Sequence, residues 1–307
     1  MSESLAVILA AGFGTRMRSS LPKVMHEVGN RALLGHVLAA VEAAEVGSVA
    51  VVVGADNQAV ADYVSAVAPT ASQHVQVERL GTAHALLAAR PALEAHRQGT
   101  VLVLFGDTPL ISANTLTALN QALDAGAAVA VAGFETQNPG PYGRLLVEDG
   151  TLKAIREAKD CTLEELQVTL CNGGVMGFRA EHCVSILDQI GQQNAQGEYY
   201  LTDAVEVANR AGLKVAVVTV AEEEIMGVND RLQLAAAEEV FQTRARIKAM
   251  QQGVTLQNPA SVYLSADTVL EADVVIEPFV VLGPKVCVKS GSRIQAFSHL
   301  KDCVVSP

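Results

Sequence analysis

Residues 5–24, LAVILAAGFGTRMRSSLPKV, set a continuous apolar run against a turn that carries three basic side chains. The run from Leu5 to Ala11 offers no polar residue to water, the pattern of a strand buried on both faces in the middle of a parallel sheet. Gly12 and Gly14 then break it, and a glycine-rich turn at such a strand end lets backbone N–H groups face an anion. Arg16 and Lys23 add two cations within one loop length. The stretch predicts an α/β sheet with a phosphate-binding loop after its first strand.

Two familiar phosphate templates fit poorly. The dinucleotide fingerprint GxGxxG needs a third glycine where Met17 stands, and that glycine exists to let the first helix pack closely on the strand. A P-loop needs Gly-Lys-Ser/Thr at a spacing that is missing here. What remains is a loop suited to a triphosphate whose charge is offset by Arg16, Lys23 and a metal ion.

Outward from this stretch, strand-like and helix-like segments alternate. ALLGHVLAAVEAAEV (32–46) and NQAVADYVSAVA (57–68) have helical periodicity, while SVAVVV (48–53), TVLVLFGD (100–107) and KVAVVTV (214–220) read as strands. This is the order of a sheet covered by helices on both faces. RLLVEDGTLKAI (144–155) interrupts it with two short strands around Asp149-Gly150, a strong hairpin signal and a candidate sugar-side insertion. DRLQLAAAEEVFQTRARIKAMQQ (230–252) predicts a long amphipathic helix stopped by Gly253.

Beyond that helix the texture changes. Leu264, Leu270, Ile276, Leu282, Val288, Ile294 and Leu300 recur six residues apart, and Ala266, Ala272, Pro278, Pro284, Ser290 and Ala296 follow two places after the first six. Such hexads stack into a parallel β-helix whose aliphatic residues make a continuous core. The expected organisation is an α/β domain with the phosphate-binding loop over 1–229, a linking helix over 230–252 and the start of a β-helix over 253–307.

Composition narrows the function classes. With 307 residues, half of them hydrophobic, the chain can bury one large α/β domain and a smaller appendage. A net charge of −11 without a basic block argues against nucleic-acid and anionic-membrane partners. The five cysteines form no CxxC pair or zinc spacing, so they read as reduced thiols. MSESLAVILAAG has neither a basic leader nor a membrane-length apolar run, and the expectation is a cytoplasmic protein.

Two segments point to a divalent cation. Asp107 in LFGDTPLI sits at the carboxyl edge of a strand, where ligands of open α/β sheets collect. Asn229 opens the long helix in GVNDRLQL. Hard oxygen ligands near phosphates favour Mg²⁺. Asp107 before Thr108-Pro109 also suits an Asx turn, and Asn229 suits a helix N-cap, so residue types alone leave both roles open.

LAAGFGTRMRSSLPKVMHEV, LGTAHAL, FGDTPLI, YGRLLVEDG, IREAKD, CNGGVMGF, GEYYLTDAVEVA and GVNDRLQLA occur in order ahead of the hexads. Over essentially the whole chain this set resembles the GlmU family, bifunctional bacterial N-acetylglucosamine-1-phosphate uridylyltransferases and glucosamine-1-phosphate acetyltransferases. The resemblance implies a Rossmann-like nucleotidyltransferase domain with a mixed sheet, followed by a truncated left-handed parallel β-helix of hexapeptide repeats. It implies UTP and N-acetylglucosamine-1-phosphate as substrates and UDP-N-acetylglucosamine, a cell-wall and lipopolysaccharide precursor, and pyrophosphate as products. Leu9, Ala10, Ala11 and Gly12 match the family's nucleotide loop, and Arg16 and Lys23 its phosphate cations. Gln76, Gly81 and Thr82 match the uracil-reading positions, and Phe105 and Gly106 belong to the substrate-side triplet that ends in Asp107. Asp107 and Asn229 match the Mg²⁺ ligands; Gly143, Glu157 and Asn172 match the sugar contacts.

The chain departs from the family pattern at Phe13, often lysine, Ala83, commonly glycine, Phe105, often tyrosine, and Gly173, threonine in its place. Arg16, Lys23 and Asp107 carry the expected catalysis. Acetyl transfer is expected to be absent because the later coils that build its site are not in the sequence, and a homotrimer through the β-helix is expected to be weakened for the same reason. The competing expectations are transfer to another sugar phosphate or from another nucleotide, and a catalytically silent nucleotide-sugar-binding protein.

Overall fold

A computed structural model describes residues 3–307. They form two compact units: residues up to Val24 together with Leu34–Gly227, and Met25–Leu33 together with Val228–Pro307. The chain-order domain reading does not foresee that a nine-residue segment near the N terminus joins the second unit.

The first unit is built on a nine-stranded mixed sheet. Its main path runs Val215–Thr219, Val129–Glu135, Leu170–Arg179, Thr100–Phe105, Ser4–Ala10, Ser48–Gly54, Ser72–Gln76. Leu170–Arg179 is antiparallel to both of its neighbours on this path, and the other pairings along it are parallel. Every residue of Ser4–Ala10 is buried, as its unbroken apolar run requires of a strand covered on both faces. Leu5, Val7 and Leu9 pack in one core cluster with residues of the helices Thr82–Ala88, Ala180–Leu187 and Ala204–Arg210.

Strand order reverses beside Ser4–Ala10: the chain next adds Ser48–Gly54 on one side, and Thr100–Phe105 lies on the other. The loops that leave Ala10 and Phe105 therefore diverge, and this is where open α/β sheets form a ligand crevice. The Gly106 N–H still donates to the Leu9 carbonyl at 2.9 Å, holding the two loop bases together.

The hairpin read around Asp149-Gly150 is present as Arg144–Glu148 and Thr151–Arg156, with both turn residues in the left-handed region. Arg144 pairs with Cys171, which attaches the hairpin to the antiparallel strand. All five cysteines are free, and burial pushes the Cys183 thiol up to about 12.

In the second unit the hexads wind into a left-handed β-helix whose three faces are three-stranded parallel sheets. Val262 pairs with Val280 and Val275 with Arg293, 18 residues or three hexads per coil. Leu264, Ile276, Leu282, Val288 and Ile294 are buried, with Leu270 and Leu300 packed against them. Asp273, Phe279, Lys285, Gly291 and Phe297, again six apart, all have positive φ and turn the corners.

The helix before the coils spans Arg231–Gln251, and Gly253 ends it in the left-handed region. The expectation of an amphipathic helix is corrected: its buried positions include Gln242 and Arg246, while Leu232 is 84% exposed. The reason is the edge of the first coil. Gln242 donates to the Leu264 carbonyl at 2.7 Å and accepts from the Leu264 N–H at 2.9 Å, and Arg246 Nε donates to the Val262 carbonyl at 2.8 Å. The side-chain amide pairs with Leu264 as another strand would, so the edge needs polar partners rather than apolar ones.

The segment Met25–Leu33 serves the same unit. It forms a hairpin, Glu27–Val28 with Arg31–Ala32, whose Gly29 N–H donates to Glu238 at 2.8 Å and whose Gly29 carbonyl accepts from Ala266 at 2.8 Å. A Cβ at Gly29 would collide with the Phe241 ring.

Candidate active site

A cavity of about 240 Å³ opens in the first unit where the two loops diverge. Leu9, Ala10, Ala11, Gly12, Lys23, Gln76, Gly81, Thr82, Phe105 and Asp107 line it, so ten of the residues singled out from the sequence meet in one place. Val24, Arg79, Ala85 and Glu198 complete the lining.

Local chemistry explains how each group arrives there. Gly14 has φ +65, and a Cβ on it would strike the Lys23 side chain; the glycine lets the lysine stem lie across the loop. Lys23 Nζ donates to Asp107 Oδ2, and both side chains are about 15% exposed. Met17, which stands where the dinucleotide fingerprint needs glycine, is buried in the core. Gly106 has Ala10 and Val24 within 3.3 Å of where a Cβ would be, so the segment before Asp107 lies flat against the loop.

The base-side segment is pinned from across the site. Gly81 has φ +115 with the Tyr199 backbone against the place of its missing Cβ. Tyr199 N–H donates to Leu80, Ala83 N–H to Tyr199, and Leu201 N–H to Thr82 Oγ1 at 2.9 Å. Gln76 is buried, its amide 3.3 Å from His84 Nδ1. Ala83, flagged as a departure from glycine, is fully buried in the core.

A second set of residues gathers at the base of the 144–156 hairpin. Gly143 precedes its first strand and Glu157 follows its second. The Asn172 N–H donates to the Gly143 carbonyl at 2.8 Å, and Asn172 Oδ1 accepts from Gly174 at 3.0 Å. Gly173 is packed against the Ala132 carbonyl and Ile225, each 2.9 Å from a Cβ position, which leaves no room for a threonine. Burial raises the Glu157 carboxyl above its ordinary value; a bond from the Thr202 hydroxyl opposes this, and Asp160 and Asp203 add to it. Among the described residues, the Tyr200 hydroxyl and Asp160 Oδ2 are buried without a hydrogen-bond partner. Burial and the neighbouring carboxylates push Tyr200 up to about 12.

Two predicted residues lie outside these groups. Arg16 is exposed in the short Thr15–Met17 turn and does not line the cavity. Asn229 belongs to the second unit, where its N–H donates to Gln233 at 2.8 Å. The N-cap alternative for Asn229 is overturned: Asp230 caps the helix, accepting from Leu232 and Gln233 at 2.9 Å. Sequence reading missed Arg79, which carries no motif of its own, and gave no role to Glu198, Tyr199 and Tyr200 within the GEYYLTDAVEVA run; all four reach the site through tertiary packing.

Residues 6–168 match the MobA-like NTP transferase domain family. The bifunctional protein GlmU of Rhodopseudomonas palustris is 51% identical over 302 residues, covering 98% of this chain and 67% of its own length. That of Azorhizobium caulinodans is 54% identical over 298 residues, covering 97% of this chain and 66% of its own. The chain thus spans about two thirds of the length of these relatives. In fold, the structure matches a Bacillus anthracis protein assigned as a glucose-1-phosphate thymidylyltransferase, with TM-score 0.63 at 16% identity over 77% of this chain and 94% of that one. Strand order, cavity and relatives agree: the chain belongs to the GlmU family, with a nucleotidyltransferase domain at its N-terminal end.

Proposed function

We propose that the first unit transfers a uridylyl group from UTP to N-acetylglucosamine-1-phosphate, giving UDP-N-acetylglucosamine and pyrophosphate. The observation that carries this reading is one cavity holding the glycine loop, the cation Lys23, the carboxylate Asp107 and the amide and hydroxyl of Gln76 and Thr82. A base, a polyphosphate and a cation each find a partner of the right chemistry there.

The sugar-phosphate oxygen attacks the α-phosphorus as the bond to the β-phosphate bridging oxygen breaks, and the electron pair leaves on pyrophosphate. The attacking oxygen is already an anion, so positioning and charge neutralisation replace a general base. Lys23 neutralises the charge that gathers on the leaving group, and Arg16 adds a second cation from its turn. Gly143, Glu157 and Asn172 hold the sugar and its N-acetyl group. The buried Tyr200 hydroxyl and Asp160 oxygen supply unsatisfied hydrogen-bonding capacity beside Glu157.

Asp107 offers a hard carboxylate in the cavity, and among the described residues no three His, Cys, Asp or Glu stand together as a protein cage. That donor set fits Mg²⁺, which takes one or two protein ligands and completes its shell with phosphates and water. Bound there, the ion supplies a template and Lewis acidity; Asn229 is the second ligand that the family resemblance assigns.

Among the described residues no helix is long and apolar enough to cross a membrane. The reading places the enzyme in the cytoplasm with its nucleotide, with homotrimer formation through the β-helix weakened, which light scattering tests. It also holds that uridylyl transfer is the reaction of these residues and acetyl transfer is not; acetyl-CoA-dependent thiol release would refute that. For the substrates, pyrophosphate release is measured with UTP or dTTP against N-acetylglucosamine-1-phosphate or glucose-1-phosphate. Release restricted to UTP with the N-acetylated sugar supports the assignment, and equal rates with glucose-1-phosphate or dTTP contradict it.

A further inference from the structure

Arg79 lines the cavity, yet no motif announces it and the mechanism above does not use it. Its Nε donates to the Ala11 carbonyl at 2.8 Å and its Nη2 to Asp56 Oδ1 at 2.6 Å. The guanidinium carbon lies over the Phe13 ring, 3.4 Å from its centre, a cation–π contact. The fourth wall is Gly54. A Cβ there would lie 2.7 Å from Arg79 Nη2, 2.9 Å from Asp56 Oδ1 and 3.2 Å from the Ala11 carbonyl, so only glycine leaves the space that the guanidinium fills. Residues from four places in the first unit, 11–13, 54, 56 and 79, thus build one socket for one side chain.

The socket fixes a peptide plane. In a trans peptide the carbonyl and the following N–H point in opposite directions. Holding the Ala11 carbonyl on Arg79 therefore turns the Gly12 N–H away from the guanidinium, and among the described residues that N–H has no hydrogen-bond partner. Gly12 has nothing within 4 Å of its Cβ position, so no side chain opposes rotation of this peptide. A glycine peptide with open space on one side needs an external anchor to keep its donor aimed at an anion.

We propose that Arg79 is a positioning residue for the nucleotide: by holding the Ala11 carbonyl it presents the Gly12 N–H to a phosphate of the nucleoside triphosphate. Phe13 and Asp56 keep the guanidinium in register, and Gly54 makes room for it. A planar fork that donates in two directions while stacking on a ring is an arginine property; a lysine keeps the charge but has neither the plane nor the fixed fork. This role rests on the nucleotidyltransferase reading of the cavity.

The test is titration calorimetry of UTP on wild type, Arg79→Ala, Arg79→Lys and Gly54→Ala, with KM for each substrate and the melting temperature measured in parallel. Loss of the anchor weakens UTP binding and raises its KM about tenfold, the scale of one charge-assisted hydrogen bond. In Arg79→Ala and Arg79→Lys alike, the sugar-phosphate KM and the melting temperature stay at the wild-type level, and Gly54→Ala reproduces the UTP defect. UTP affinity within twofold of wild type in Arg79→Ala overturns the proposal, as does full rescue by lysine or an equal rise in the sugar-phosphate KM. Wild type that binds UTP but releases no pyrophosphate defeats the uridylyltransferase reading alone, and the binding arm still decides the role of Arg79. Wild type that binds no nucleoside triphosphate defeats both.

Discussion

The two units fill their tight backbone positions with different residue types. In the nucleotidyltransferase unit, glycines are placed where the backbone must make room for a functional group: Gly14 under Lys23, Gly81 against Tyr199, Gly54 beside Arg79. In the β-helix the left-handed corners at 273, 279, 285 and 297 are held by Asp, Phe, Lys and Phe, with glycine only at 291. A corner repeated every hexad is stabilised by the coils on either side, so it tolerates a side chain at a cost of roughly 1–2 kcal/mol. A loop that approaches a ligand has no such neighbours and uses glycine. Irregular backbone carries the chemistry in the first unit; periodic backbone carries the architecture in the second.

The largest expected effect breaks the first unit's chemistry and leaves its fold intact. Asp107→Ala and Lys23→Ala each lower turnover by about 10²-fold or more, the size of losing one preorganised electrostatic partner. Circular dichroism and the melting curve are to show that either variant is still folded. A loss below tenfold in both would mean that the Lys23–Asp107 pair is structural.

The converse change breaks the periodic unit. Ile276→Ala, in the middle of the coil core and fully buried, destabilises the β-helix by about 2–5 kcal/mol. Chemical denaturation followed on the second unit measures it. The KM for UTP is expected to be unchanged, and a parallel rise in KM would erase the division of labour between the units.

Glu157 links stability to the proposed sugar contacts within the first unit. Its raised carboxyl value means that the folded state holds the proton more tightly than the unfolded chain. Stability therefore falls as pH rises from the ordinary value of 4.5 to the raised one. Glu157→Gln is predicted to flatten that fall and to raise the sugar-phosphate KM about tenfold. Melting curves across pH 4 to 7 check the first part and steady-state kinetics the second. A variant with unchanged pH dependence would remove burial as the cause.

At the small end, Lys285→Asn puts a residue that enters the left-handed region readily at a corner with φ +58. It is expected to stabilise the second unit by about 0.5 kcal/mol, read from the same denaturation curves. Destabilisation of that size would show that the Lys285–Asp302 ion pair outweighs backbone strain.

What the sequence made legible follows the same division. The strand-turn at 5–14 and the hexads at 264–300 are local patterns with one physical reading each, and both appear as expected. The antiparallel strand Leu170–Arg179 was not legible, because Gly173 and Gly174 and the bulge between Asn172 and Met176 interrupt its alternation. Nor was the capping role of the long helix, since Gln242 and Arg246 look like solvent-facing residues until the Val262–Leu264 edge is in place. In the site, the residues in short motifs were legible. Arg79 was not, because it acts through partners more than 20 residues away, Ala11 and Asp56; Tyr200 sits inside the GEYYLTDAVEVA run, but its place beside Asp160 and Glu157 comes only from tertiary packing.

The central claim is that the first unit binds the nucleotide and the metal at the cavity lined by Lys23 and Asp107, and the sugar phosphate at the Gly143, Glu157 and Asn172 set, for a single transfer. Its most direct test is pyrophosphate release from UTP and N-acetylglucosamine-1-phosphate under a Mg²⁺ titration, on wild type and on Asp107→Ala. The account predicts Mg²⁺-dependent release by wild type that Asp107→Ala loses by about 10²-fold. Release by Asp107→Ala at the wild-type rate and with the wild-type Mg²⁺ dependence would contradict it.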